Sequence, residues 1–371
     1  YEEKYYAAYN SSTNPDGTTG TIGWYRYAGG APLSQNYILN GDMEINQRGL
    51  TSTPITPFTS SYGLDRWKAY LASDHRLSIQ TASIAGVPIR YAARMGSNTT
   101  ANATGGLMPF GQKLESKNTI PLRGKTVTVS FYVKFSNATF TASLGDYGKF
   151  QYRLGYNTTT TDSAFSDPSF DSSISNTIIN GSLPTTWTRI SLTGAVPETA
   201  NNISITTQFL STNGYGYTAT ADAVYYDITG VQIEEGPVAT PFRRNQENIQ
   251  AELAACQRYY FRKSADAGTM FFEFGMGLAS STGQIFCKID FPVKMRAIPS
   301  TTPDMSAYNT FSIEGIGSPG VITGSSTSPG ARTSSYQAYL NLYATGLTTG
   351  QPYRVVANLT DTAYVGFSAE L

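Results

Sequence analysis

One histidine and two cysteines in 371 residues leave little for metal, redox or nucleophilic chemistry to use. His75 has no second histidine or paired cysteine to join it in a zinc site or a nucleophilic triad. Cys256 and Cys287 lie in separate segments, with neither metal-ligand spacing nor a disulfide framework, and read as buried free thiols. Charge is equally sparse. The 26 Lys and Arg balance 26 Asp and Glu, so the basic footprint of a nucleic-acid or acidic-membrane binder is missing. No apolar run approaches the roughly 20 residues that cross a bilayer, and no charged, apolar signal segment opens the chain. Nucleic acid and membrane insertion therefore drop out as expected partners.

What is abundant points one way. Hydrophobic residues make up 40% of the chain, and 35 Gly and 26 Tyr accompany frequent Ser, Thr and Asn. This is the palette of strands joined by tight turns, and the length predicts two or three domains of about 100 to 200 residues each. The chain starts at Tyr1 in mid-pattern, and is expected to be the C-terminal part of a longer polypeptide.

Residues 1–36 carry Tyr1, Tyr5, Tyr6, Tyr9, Trp24 and Tyr25 around the turn signal Asn14-Pro15-Asp16-Gly17. Such an arm is too short to bury its own aromatics and calls for a neighbouring domain or other copies of the chain. From 37 to 242, short alternating runs recur between turn clusters: KTVTVSFYVKFS (125–136), KFQYRLGY (149–156), WTRISLTGAV (187–196), NISITTQFL (202–210) and AVYYDITGVQIEEG (223–236). That grammar predicts an antiparallel jelly-roll sandwich. The stretch NGDMEINQRG (40–49) alternates after its turn dipeptide and reads as the first strand, with Met43 and Ile45 inward.

Residues 243–264 change character. They lack Gly and Pro, and Ile249, Leu253, Cys256 and Tyr260 share one helical stripe, predicting a linking helix that packs on its own domain or on a symmetry axis. Residues 265–371 return to alternation and predict a smaller β-sandwich tip. There Ile285, Cys287 and Ile289 oppose Phe286, Lys288 and Asp290, so one face is buried and the other meets solvent or a partner. The Gly-Ser-Thr stretch 314–335 reads as a long exposed loop, where binding usually resides. Tyr308, Phe311, Arg332, Tyr336 and Tyr339 flank or occupy it and suit sugar contact, with trimer seams as the alternative use for the tyrosines. Candidate catalytic carboxylates (Asp42, Glu44, Asp65, Asp227, Glu234, Glu235) carry no spacing signal for hydrolysis. The glycine-rich GTTGTIG (17–23) and GIGSPG (315–320) do not link a strand to a helix as phosphate cradles do.

NYILNGDMEINQRG, YGLDRWKAYLAS, LRGKTVTVSFYVK, TTWTRISLTGAVP and DITGVQIEEGPVATPFRRNQENIQAELAACQRYYFRK together resemble the signature of bacteriophage tail-fibre and tail-tip proteins over about residues 36–263. FPVKMRAIPS (291–300) is similar to a segment that follows in such proteins, and residues 1–30 to an element that follows a fibre shaft. The resemblance implies a homotrimeric virion protein, joined to other tail proteins through a preceding region and adhering to host cell-surface glycan. It implies no enzyme. The rival readings are a glycan-degrading or deacetylating tailspike and a purely structural tail component. The family's first domain is similar to carbohydrate-binding jelly rolls, which implies a structural calcium near Asp42, Glu44 and Asp227 within the frame that Asn40 opens. It also implies that Trp67 lies in the core and that Arg48 pairs with a carboxylate such as Asp65.

Overall fold

The computed structural model describes residues 35–52, 61–69, 75–97, 109–136, 149–159, 162, 172–180, 183–210, 225–299, 303–315, 320–326 and 333–370. The aromatic arm, and the expectation placed on it, lies outside these residues. Within them the protein is nearly all β.

Two antiparallel sheets form the first unit. One has six strands in the order β1 (Ser61–Leu64), β2 (Trp67–Ala69), β5 (Phe110–Lys113), β10 (Asn202–Leu210), β7 (Lys149–Asn157) and β8 (Ser172–Asn180). The other has five: β3 (His75–Thr81), β4 (Tyr91–Ser97), β11 (Tyr225–Glu235), β6 (Thr126–Phe135) and β9 (Thr188–Ala195). All five predicted runs became strands. In β6 the alternating Val127, Val129, Phe131, Val133 and Phe135 are buried, because a strand paired on both sides, here by β11 and β9, turns alternate side chains into the space between sheets. Phe135 meets Phe150 edge to face at 4.9 Å, and Tyr226 closes the cluster 5.0 Å from Phe150. A short helical turn, α1 (Ser116–Thr119), follows β5.

The linking helix is shorter than expected. Helix α2 spans only Ile249–Gln257, capped by Asn248, whose side chain accepts from Ala251 N. Tyr260 leaves the helical stripe and opens β12 (Tyr260–Ser264), which pairs with β20 (Tyr364–Ser368) near the chain's end. The aromatic run Tyr259-Tyr260-Phe261 favours strand, and a partner about 100 residues away supplies the ladder. Cys256 and Tyr259 pack with Leu39 and Ile45, so the helix sits on the first unit.

The C-terminal unit is a closed barrel rather than a sandwich. Its staves run β13 (Glu273–Ser281), β14 (Gln284–Asp290), β18 (Gln337–Ala344), β17 (Gly320–Ser326), β16 (Phe311–Glu314) and β19 (Pro352–Ala357). A small sheet of β12, β20 and β15 (Asp304–Met305) flanks it. Part of the expected loop 314–335 is the stave β17, held between β16 and β18. Closure leaves the barrel without an unpaired edge, which a hydrophobic sheet of this kind would otherwise expose. Both cysteines are buried and free.

Candidate functional site

The opening motif builds a turn, not a strand. Asn40 and Met43 take φ of 53° and 59°, the left-handed region that Asn tolerates. The Asn40 side chain ties the turn together: its Oδ1 accepts from Ile45 N at 2.8 Å, and its Nδ2 donates to Ile45 O at 2.8 Å and Asp65 O at 3.1 Å. Met43 and Ile45 are buried as the alternation implied. Trp67 fills the core beneath, stacked on Phe110 at 5.0 Å and donating to Asn40 O at 2.8 Å.

The structure does not gather Asp42, Glu44 and Asp227. Among the described residues no three His, Cys, Asp or Glu groups are placed to share a metal ion. Each carboxylate instead faces its own cation: Asp42 takes Arg244 Nε at 2.5 Å, Glu44 takes Arg90, and Asp227 takes Arg94 Nε at 2.6 Å with Lys134 Nζ at 3.4 Å. Burial raises the Asp42 carboxyl against the pull of Arg244. As a calcium site the set does not fit: Asp42 Oδ1 is buried without a partner, but the three carboxylates are not grouped, and Asp42 Oδ2, Glu44 and Asp227 each already face a guanidinium or ammonium cation.

Of the expected ligand contacts, Phe311 is a core residue, 1% exposed and 5.0 Å from the Phe274 ring. It starts β16 in phase with inward Ile313. Arg332 lies outside the described residues. Tyr308 is exposed on a single 3₁₀ turn, and Tyr336 is 59% exposed with Lys294 Nζ 5.2 Å from its ring centre. Tyr339 leads to a feature that the expected loop site did not include. Strand register aligns Arg354, Met276, Lys288 and Tyr339 in one row across the outer barrel wall, and Pro352, Leu278, Phe286 and Asn341 in the next. Met276 and Leu278 are 56% and 59% exposed. Their rows frame a groove of about 420 Å³ lined by Met276, Leu278, Ser280, Phe286, Lys288 and Tyr339. The period-two signal at 285–291 had marked this face as open.

Where the two units meet, charges are buried. Arg66 bonds the Glu370 carboxylate and donates to Lys113 O at 2.8 Å, while Arg48 reaches Glu370 at 3.3 Å. Arg66 lies over the Tyr259 ring and Arg48 over the Tyr260 ring, each at 3.6 Å. Burial works against the Arg66 cation and is the largest single influence, but the field and hydrogen bond of Glu370 together with the Tyr259 and Tyr62 hydroxyls outweigh it, and the group titrates above the ordinary arginine range. Asp65 accepts from Gln47 N at 2.7 Å and from Gln47 Nε2 at 2.5 Å. Arg48 thus takes Glu370 as its ion-pair partner, and acts on Asp65 only through its field. Arg296 Nε donates to Ala369 O at 2.8 Å, and its Nη2 to Glu370 O at 3.0 Å. Asp65-Arg66-Trp67 is therefore a structural triplet that joins sandwich to barrel.

No family model and no curated protein matches this chain. Solved structures align to about half of this chain at low identity. The carbohydrate-binding module TmCBM61, solved with β-1,4-galactotriose, is 12% identical over 55% of this chain and 100% of its own, with a TM-score of 0.29. A xylan-binding domain of family 22 is 13% identical over 52% of this chain and 99% of its own, with a TM-score of 0.29. The enzymatically active domain of bacteriophage CBA120 tailspike protein 4 is 12% identical over 54% of this chain and 21% of its own, with a TM-score of 0.30. The all-β assignment itself rests on the sheets described above.

Proposed function

We propose that this chain is the adhesive part of a phage tail fibre, and that it holds bacterial surface glycan on the outer wall of its C-terminal barrel. The observation that carries this reading is the wall itself. Tyr339 and Phe286 line it with aromatic side chains, Met276 and Leu278 extend the apolar floor, and Lys288 and Ser280 add polar groups at its margin. A sugar ring has the matching form, an apolar C–H face rimmed by hydroxyls. The tail-fibre part is supported by the placement of the signature residues: Asn40, Asp65, Trp67, Glu234 and Cys256 are all buried and build the sandwich and its junction.

The chain works as a homotrimer on the virion, attached to other tail proteins through residues before the sandwich. Three weak sites then gain about two to four orders of magnitude in avidity when they engage together. Its action is binding without turnover. Purified protein should be retained on immobilised host polysaccharide while releasing neither reducing sugar nor acetate, and light scattering on the same sample should give about three chains. Release of sugar or acetate, lost on replacing a pair of carboxylates, would move the protein to the depolymerase class.

A further inference from the structure

A second groove, of about 580 Å³, lies on the sandwich unit between residues 35–36 and the connector from β11 to α2. Phe242 and Pro88 line it with apolar surface, and Arg243, Arg244, Gln246 and Glu247 with polar groups. Its backbone is held firmly. Asn36 Nδ2 donates to Arg243 O at 2.8 Å, and its Oδ1 accepts from Ile38 N at 2.9 Å and Ile233 N at 3.1 Å. Gln232 Oε1 accepts from Arg243 N at 2.9 Å, and Glu252 from Gln246 N at 2.9 Å. These bonds use the scaffold's own donors and acceptors and leave others over. Among the described residues the Arg243 guanidinium, the Arg244 Nη groups, Gln246 Oε1 and the Glu247 carboxylate have no hydrogen-bond or ion-pair partner, although Arg244 Nε is held by Asp42.

We infer that this groove is a second saccharide site, selective for neutral, polyhydroxylated ligands. A hydroxyl both donates and accepts. A saccharide can therefore answer the free donors of Arg243 and Arg244 and the free acceptors of Gln246 and Glu247 at once. Sulfate and carboxylate can only accept, which leaves Gln246 and Glu247 unanswered, and they and inorganic phosphate, which still carries O–H near neutral pH, all place an anion beside Glu247. Charge points the same way: Arg243 and Arg244 are answered by Glu247, Asp42 and Glu252, so the groove has no excess of positive charge to favour an anion. Its size falls within the range of small-ligand pockets. The inference extends the adhesion reading to a second contact on each chain, at a different unit from the barrel wall.

The test uses the full chain with xylohexaose, a galactan trisaccharide and a dextran hexasaccharide as neutral probes. Inorganic phosphate and a sulfated disaccharide serve as charged probes. Titration by NMR should show at least one neutral saccharide binding near millimolar Kd. Arg243→Ala combined with Gln246→Ala should weaken that binding by about tenfold or more, the loss expected for charge-assisted hydrogen bonds. Glu247→Gln should let phosphate compete better. Tyr339→Ala should leave binding at this groove unchanged, so failure of the barrel-wall reading is seen separately. Arg243 and Glu247 have no side-chain partner among the described residues, and Gln246 gives up only its Nε2 bond to the neighbouring Asn245 Oδ1, so the melting temperatures of both groove variants should stay within a few degrees of the wild type. The inference is overturned if no neutral probe binds, if phosphate or the sulfated sugar binds more tightly than every neutral one, or if the double variant, folded, binds as well as wild type.

Discussion

Replacing Glu370 with alanine should lower the unfolding free energy by about 3–5 kcal/mol, the usual consequence of removing one partner of a buried ion pair. Arg66 and Glu370 side chains are only 2% and 4% exposed, so neither charge can fall back on water. The deletion would leave Arg66 and Arg48 buried against the Tyr259 and Tyr260 rings without their shared carboxylate. Such cation–π contacts contribute about 2 kcal/mol at best when desolvated, too little to hold two guanidinium groups alone. A second substitution separates pair energy from packing: Arg66→Met with Glu370→Leu should lie closer to wild type than Glu370→Ala alone, because no uncompensated charge remains at that pair. Urea unfolding of the three proteins measures both differences. A Glu370→Ala protein within about 0.5 kcal/mol of wild type, the range of an ordinary surface change, would show that the junction does not depend on this pair.

Acidification from pH 7.5 to 5 should stabilise the protein through Asp65. Burial pushes this carboxyl up to about 6, against the opposing pull of Arg48 and of the Gln47 hydrogen bonds. In the unfolded chain it returns to about 3.9. The folded state therefore binds the proton more tightly. Its contribution is fully present below about pH 4 and is lost as pH rises through about 6, with a ceiling of about 3 kcal/mol across the whole window and about 1.4 kcal/mol between pH 7.5 and 5. Arg48 and Glu370 are the other charges acting on Asp65. Asp65→Asn removes the titration. Its Oδ1 can still accept from Gln47, while the amide leaves one Gln47 donor unanswered, so the variant should be weaker at pH 5 yet lose the pH slope. Urea midpoints of both proteins at the two pH values decide the matter. An equal slope in the variant would assign the pH dependence to other groups.

Local pattern carried much of the fold. The alternation of 127–135 and the five strands of the sandwich depend on which face of each strand is buried, and period two reports that directly. Trp67 in the core followed from the family resemblance, and the free buried thiols from the lack of any paired cysteine spacing. What escaped was non-local. Glu370 meets Arg66 across 304 residues and Arg48 across 322, and nothing near Glu370 announces two cationic partners. Asp42, Glu44 and Asp227 look like a ligand set until Arg244, Arg90 and Arg94 arrive from three other segments. The end of α2 was hidden because Tyr260 keeps the helical spacing, and only pairing with β20 draws it into a strand. Closure of the barrel left no trace either, since alternation is the same in an open sheet and in a closed one. Phe311 was misassigned because an aromatic beside a glycine-rich stretch reads alike whether it faces sugar or core.

Adsorption of labelled protein to host cells, compared between wild type and a Leu278→Ser, Tyr339→Ser variant, bears most directly on whether the barrel wall is the adhesive surface. Both side chains point outward from β13 and β18, and neither replacement opens a core cavity, so the variant should keep the wild-type melting temperature and size. The expected result is a loss of at least tenfold in cell binding, since truncating an anchor at the centre of a contact costs about 2 kcal/mol or more and multivalency compounds it. Undiminished adsorption by a folded variant of unchanged size would contradict the assignment and move host recognition away from the barrel wall.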